Sequence, residues 1–165
     1  MKNKVLFYIV VATLAVTSLL ISAKIATAAS ELQPTKEGMS GTEALDKMAE
    51  YEQKGRVDEA VKIGEEFLKT HPDQPNVMTK MAGIYENMGK LPEAEKLLKQ
   101  ALEINNTFLL PNVTLARVYR KMYEKDWKKE TFDLAVKAIE NARAIAPNDP
   151  VVKEEESKIY SSKKP

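Results

Sequence analysis

Cysteine is absent from this 165-residue chain, and histidine occurs once, at His71. The first absence removes thiol nucleophiles, disulfides and thiolate metal sites. The second leaves any imidazole cluster or proton relay resting on a single side chain. Glycine and proline are also scarce, at six and eight residues, too few for a long disordered tract. Neither sign of charge dominates: 25 Lys and Arg stand against 24 Asp and Glu. No global basic field therefore draws the chain onto nucleic acid. No catalytic, cofactor-binding or metal-ligating set is expected.

What is present begins with an address. Met1-Lys2-Asn3-Lys4 is a basic head, Val5 to Ala23 carries no charge, and Ala26-Thr27-Ala28 supplies small residues after Lys24. These are the three parts of a secretory signal peptide, with cleavage expected after Ala28. The apolar run is long for that purpose. As a helix it reaches roughly 28 Å, close to a bilayer core of about 30 Å, so a retained anchor through residues 5–23 stays open. Lys2 and Lys4 keep the head cytoplasmic. Both readings place the rest of the chain outside the cytoplasm, periplasmic, secreted or anchored to an inner membrane. Loss of residues 1–28 would remove three lysines and no acid, leaving 22 basic and 24 acidic side chains, a net of −2. Residues 29–41, with Pro34, Gly38 and Gly41, read as a flexible linker. A helical domain is expected over 42–162.

From Gly41 onward the sequence repeats. Ala60 and Ala94 lie 34 residues apart; each comes after a glutamate (Glu59, Glu93), a glycine five residues back (Gly55, Gly89) and a tyrosine nine back (Tyr51, Tyr85). Ser40 with Glu43 predicts a capping box, and Gly55 a helix end. Val57, Ala60, Val61, Phe67 and Leu68 form an apolar stripe on a second helix that stops before Pro72. Met78, Met81, Ala82, Tyr85 and Met88 mark a third, ending at Gly89. Ala94, Leu97, Leu98, Ala101, Leu102 and Ile104 mark a fourth, with Pro92 in its first turn. Such pairs bury their apolar faces only by stacking.

The segment Met81-Ala82, Tyr85, Gly89, Ala94, Leu98, Ala101 resembles a tetratricopeptide repeat, a 34-residue helix-turn-helix unit. Copies are expected at 41–74, 75–108 and 109–149, the third carried by Leu115, Ala116, Tyr119, Ala135, Ala142 and Pro147. That third copy is seven residues too long, close to two helical turns, so both of its helices can lengthen around Met122–Thr131 and keep their faces. Residues 150–162, with Tyr160 at the tyrosine position and Glu154 to Glu156, fit a polar capping helix. The resemblance implies an all-α, right-handed solenoid of antiparallel helix pairs whose inner wall, made by the first helix of each pair, takes up segments of partner proteins.

The positions that the family uses for its groove fall on Thr42, Leu45, Ala49, Glu52 and Gln53 in the first copy. They fall on Asn76, Thr79, Gly83, Glu86 and Asn87 in the second, and on Leu110, Val113, Arg117, Arg120 and Lys121 in the third. The three cations in the third copy fit either a partner with an acidic stretch there or a solvated face of the helix. Chaperone-binding members clamp a C-terminal carboxylate with a Lys/Asn set; Leu45 and Ala49 occupy two of those positions, so that activity is not carried over.

Other features weigh less. Tyr123 and Trp127 fit either an exposed partner-binding knob or packing at the base of the lengthened pair. His71, next to Pro72, reads as a surface residue. Glu65-Glu66 are neighbours in sequence and point apart on a helix, so they form no catalytic pair. Met78, Met81 and Met88 read as core fillers. Asn105-Asn106-Thr107 and Asn112-Val113-Thr114 match the glycosylation pattern. The expected function is an extracytoplasmic scaffold in a bacterial cell-envelope assembly. The alternative is a membrane-anchored tether or self-associating subunit without a peptide groove, which leaves a homo-oligomer open.

Overall fold

The computed structural model describes residues 38–163; the address and most of the linker lie outside them. Seven helices succeed one another: α1 (Gly41–Gln53), α2 (Val57–Thr70), α3 (Pro75–Asn87), α4 (Leu91–Ile104), α5 (Leu109–Asp126), α6 (Lys129–Ile145) and α7 (Pro150–Ser162). None of these is long and apolar enough to cross a membrane.

Local sequence fixes the ends. Ser40 accepts the Glu43 backbone N–H at 3.1 Å, but Glu43's carboxylate turns outward to Lys47 at 2.7 Å, so only half of the expected capping box forms. Gly55 and Gly89 adopt φ of 70° and 74°, a left-handed turn that glycine enters without a Cβ penalty. Each turn closes on its tyrosine: Arg56 N–H donates to Tyr51 O at 2.8 Å, and Lys90 N–H to Tyr85 O at 2.9 Å. Proline occupies the first turn of α3, α4 and α7, where no amide donor is needed. Asp149 caps α7 through Val151 and Val152 N–H.

The predicted lengthening is found. Helices α1 to α4 have 13 or 14 residues, whereas α5 has 18 and α6 has 17. Trp127 turns between the two long helices at φ 54°, where earlier repeats use glycine.

Each first helix packs on the next first helix, α1 on α3, α3 on α5 and α5 on α7. The backbones of the second helices α2, α4 and α6 stay farther from each other than those of the first helices. The stack is thus tighter along one side and splayed along the other, and the tight side is the inner wall. Alanines at 0% exposure (Ala44, Ala60, Ala82, Ala94, Ala116, Ala135) set the close approach, while Met48, Ile84, Leu98 and Ile139 fill between them. Ile104, assigned above to the core stripe, is 42% exposed, because α4 ends there. Val77 and Ile84 are buried beside Met81 on one stripe of α3, since residues four and three apart on a helix share a face.

Candidate functional site

Along the inner wall, α1, α3 and α5 enclose a cleft of about 400 Å³. Of the expected groove residues it brings together Leu45, Glu52, Thr79, Gly83, Asn87 and Arg117, with Asn76 and Leu110 at its edges. Lys80, Ile84 and Thr114 also line it; the sequence pattern did not single them out. Gly83 is the notch in this wall. A Cβ built there meets nothing within 4 Å, and Leu110 across from it is 55% exposed.

The other seven expected groove residues sit elsewhere. Val113 is 3% exposed and belongs to the core, because α5 is packed by α6 and α7 as well as by α3 and α4. Ala49 is half-buried beside the cleft without lining it. Glu86, Arg120 and Lys121 are held in ion pairs that arise from the stacking of the first helices. Thr42 lines a smaller hollow with Gly41 and Gln74, and Gln53 is exposed at the end of α1.

The charges of the wall are mutual. The Glu86 side chain is 2% exposed and accepts the Arg117 Nε–H on both oxygens, at 2.8 and 2.9 Å. Lys121 Nζ reaches the same carboxylate at 2.7 Å. Burial pushes the Glu86 carboxyl up, but the bonds from Arg117 and Lys121 outweigh it and hold it below the ordinary range. The same partnership raises Arg117. Arg120 donates through Nε to Glu155 and through Nη1 to Glu124, both at 2.7 Å. The three cations of the third repeat therefore do not form an open basic strip: each is already engaged by a carboxylate.

A second regularity lies beneath these pairs. Lys80 of α3 binds Glu52 of α1 at 2.5 Å across 28 residues. Glu155 of α7 binds Arg120 of α5 across 35. Once the seven extra residues of the third repeat are counted, the two pairs join the same two repeat positions with the signs exchanged. Sequence reasoning treated Glu155 as part of a polar cap, yet it is 3% exposed. The available signal was its register with Val152 and Ile159, both buried, on the inward stripe of α7.

The remaining candidates resolve as packing or surface. Tyr123 is buried and meets the rings of Trp127 and Phe132, each at 5.2 Å between centroids. Trp127 is 43% exposed, so the pair combines a packed base with an outward edge. His71 is exposed and stacks on Phe67 at 4.5 Å. Asn112, in the second match to the glycosylation pattern, is 2% exposed. Its amide donates to Asn106 O and Phe108 O, so it pins the α4–α5 turn instead. No group of three His, Cys, Asp or Glu side chains able to hold a metal ion occurs among the described residues.

Residues 51–122 match the tetratricopeptide repeat family. No curated protein matches the chain. Among solved structures, the first TPR domain of Spaghetti (RPAP3), bound to an HSP90 peptide, is similar at a TM-score of 0.64 and 20% identity, covering 72% of this chain and 91% of that one. A thermophilic TPR protein of Thermus thermophilus is similar at 0.66 and 18% identity, covering 74% and 65%. The TPR2B domain of yeast Sti1, in complex with a pHsp70 peptide, is similar at 0.58 and 23%, covering 73% and 94%. At these identities the likeness speaks for the fold alone. Residues 51–122 are thus tetratricopeptide repeat by their family match, and the seven helices of the described residues are stacked in that family's solenoid fold.

Proposed function

We propose that this protein is an extracytoplasmic scaffold that holds a segment of a partner protein in the cleft between α1, α3 and α5, within a bacterial cell-envelope assembly. The observation that carries the reading is the cleft itself: about 400 Å³ of open volume walled by the first helices, with Leu45 and Leu110 beside polar side chains. Apolar walls with a few oriented polar groups suit a bound chain segment. The RPAP3 and Sti1 domains, each solved with a peptide, support the same use of the fold. The export part rests on the basic head, apolar run and Ala26-Thr27-Ala28 of the sequence.

Binding also fits the electrostatics better than catalysis. Among the described residues, the carboxyls that depart from their ordinary range shift downward, each held by a cation or by an N–H or hydroxyl donor. A general acid near neutrality needs the opposite shift.

The test is cross-linked capture from the native envelope, run with the wild-type chain and a Leu110→Asp variant, with intact mass read on the recovered bait. One dominant partner that is lost in the variant supports the scaffold. Capture of only the chain's own copies, unchanged by the variant, overturns it in favour of the self-associating tether. A bait mass starting at Ala29 supports cleavage; a full-length mass supports the anchor.

A further inference from the structure

Gly83 is a glycine inside a helix with no local reason to be one. Glycine destabilises a helix interior relative to alanine. Its backbone is not left-handed, in contrast to Gly55 and Gly89. Nor does packing require it: an added Cβ meets nothing within 4 Å. Gly64 shows what a packing glycine looks like, since a Cβ there would lie 2.5 Å from Met81 Sδ. What Gly83 does provide is a recess in the wall of the cleft, next to Ile84 and facing the space that Leu45 and Leu110 flank.

The second observation is the idle edge of Arg117. Its Nε is committed to Glu86, which orients the guanidinium. Neither Nη group has a hydrogen-bond partner among the described residues, and the side chain is 34% exposed and lines the cleft. Glu86 carries one negative charge against Arg117 and Lys121. The adjoining Arg120 faces both Glu124 and Glu155, and Glu155 also acts on Arg117. What Arg117 offers is therefore an unpartnered edge and not a surplus of charge. The other cation of the cleft, Lys80, is neutralised by Glu52. A guanidinium pinned along one edge and open along the other is built to take a carboxylate.

Building on the scaffold reading, we infer that the cleft selects an extended partner segment in which an apolar side chain enters the Gly83 recess while a neighbouring Asp or Glu side chain pairs with the Arg117 Nη groups. A side-chain carboxylate fits better than a chain terminus: Leu45 and Ala49 stand where the terminus-clamping set needs polar donors, and no second unpaired cation lines the cleft. Since nothing stands in the way of a side chain at residue 83, Gly83→Leu fills the recess without disturbing the fold.

The experiment selects random heptapeptides, displayed internally so that neither end is free, on the immobilised full chain. Enriched sequences are made as acetylated, amidated peptides and titrated by fluorescence polarisation. The expected result is enrichment of an Asp or Glu next to a large apolar residue. Gly83→Leu is then expected to weaken binding at least about tenfold while its thermal midpoint stays level or rises. Arg117→Gln, which leaves Glu86 with Lys121, is expected to weaken binding about tenfold, with no further loss when the peptide's acid is changed to its amide. Peptides that bind without an acid, or that ignore both Gly83→Leu and Arg117→Gln yet are lost with Leu110→Asp, overturn this inference and leave the scaffold reading standing. Absence of any peptide sensitive to Leu110→Asp overturns both.

Discussion

The first two repeats and the last two are joined by different physics. Between α1 and α3 the contact is apolar: Met48, Val77, Met81, Ile84 and Phe67 form one buried cluster with Ala44, Ala60 and Val61. Its one inter-repeat ion pair, Lys80–Glu52, has both side chains about a third exposed, at 32% and 30%. From the end of α3 through α7 a second apolar cluster is laced by Glu86 and Glu155, carboxylates with 2% and 4% side-chain exposure, each gripped by arginine. Methionine adapts to irregular neighbours. A buried carboxylate with a fixed guanidinium tolerates one geometry only. We read the first junction as compliant and the second as registered, because breaking a buried pair leaves an uncompensated charge, whereas slipping a methionine does not.

The largest break in this contrast is Glu86→Ala, which strands two cations beside a desolvated site. Arg117 and Lys121 keep about a third of their surface in solvent. The loss is therefore expected at about 1.5–3 kcal/mol, short of the cost of breaking a wholly buried pair, read as a lowered urea midpoint. Glu52→Ala, at the partly exposed pair, is expected to cost at most about 1 kcal/mol. Equal losses would erase the distinction.

Acid sharpens it next. The Glu86 carboxyl sits below its ordinary value of 4.5, so its stabilisation is complete above that value and is lost as pH falls through the depressed pKa. The urea midpoint of the wild type is expected to fall on acidification below about pH 4.5, and Glu86→Gln is expected to flatten part of that fall. An identical acid profile in the two proteins contradicts the assignment.

Smaller effects come from the two helical glycines. In Gly64→Ala the new methyl collides with Met81 Sδ and Cγ at 2.5 and 2.6 Å. Overpacking of about 1–3 kcal/mol outweighs the helix gain of up to about 1 kcal/mol, and the thermal midpoint is expected to drop. Gly83→Ala has only the gain, about 0.5–1 kcal/mol, and its midpoint is expected to rise. A drop at residue 83 would mean that the recess is structural.

How far the sequence reveals all this depends on distance along the chain. The 34-residue period, the glycine turns after Tyr51 and Tyr85, and the lengthened third repeat are local, and each is found where it was expected. Leu45, Thr79, Gly83 and Asn87 line the cleft, since repeat position sets their direction. Local patterning fails where a residue's surroundings come from the next repeat. Arg120 and Lys121 look like solvated cations until α3 and α7 supply Glu86 and Glu155. Val113 faces inward because helices on several sides, not one, cover α5. Asn112 carries a modification motif, yet its amide is spent on the carbonyls of the preceding turn. Lys80 and Thr114 join the cleft by stacking, which no single repeat displays.

Trp127 is the only tryptophan of the chain, and it stands at the left-handed end of α5, half in solvent, with its ring edge against buried Tyr123. Its indole emission is therefore a single-site optical signal that arises from the turn between the two longest helices and from nowhere else. A blue or red drift of that emission during unfolding times the opening of the third repeat by itself. Compared with far-ultraviolet dichroism, which averages all seven helices, it would show directly whether the solenoid comes apart from its methionine end or all at once.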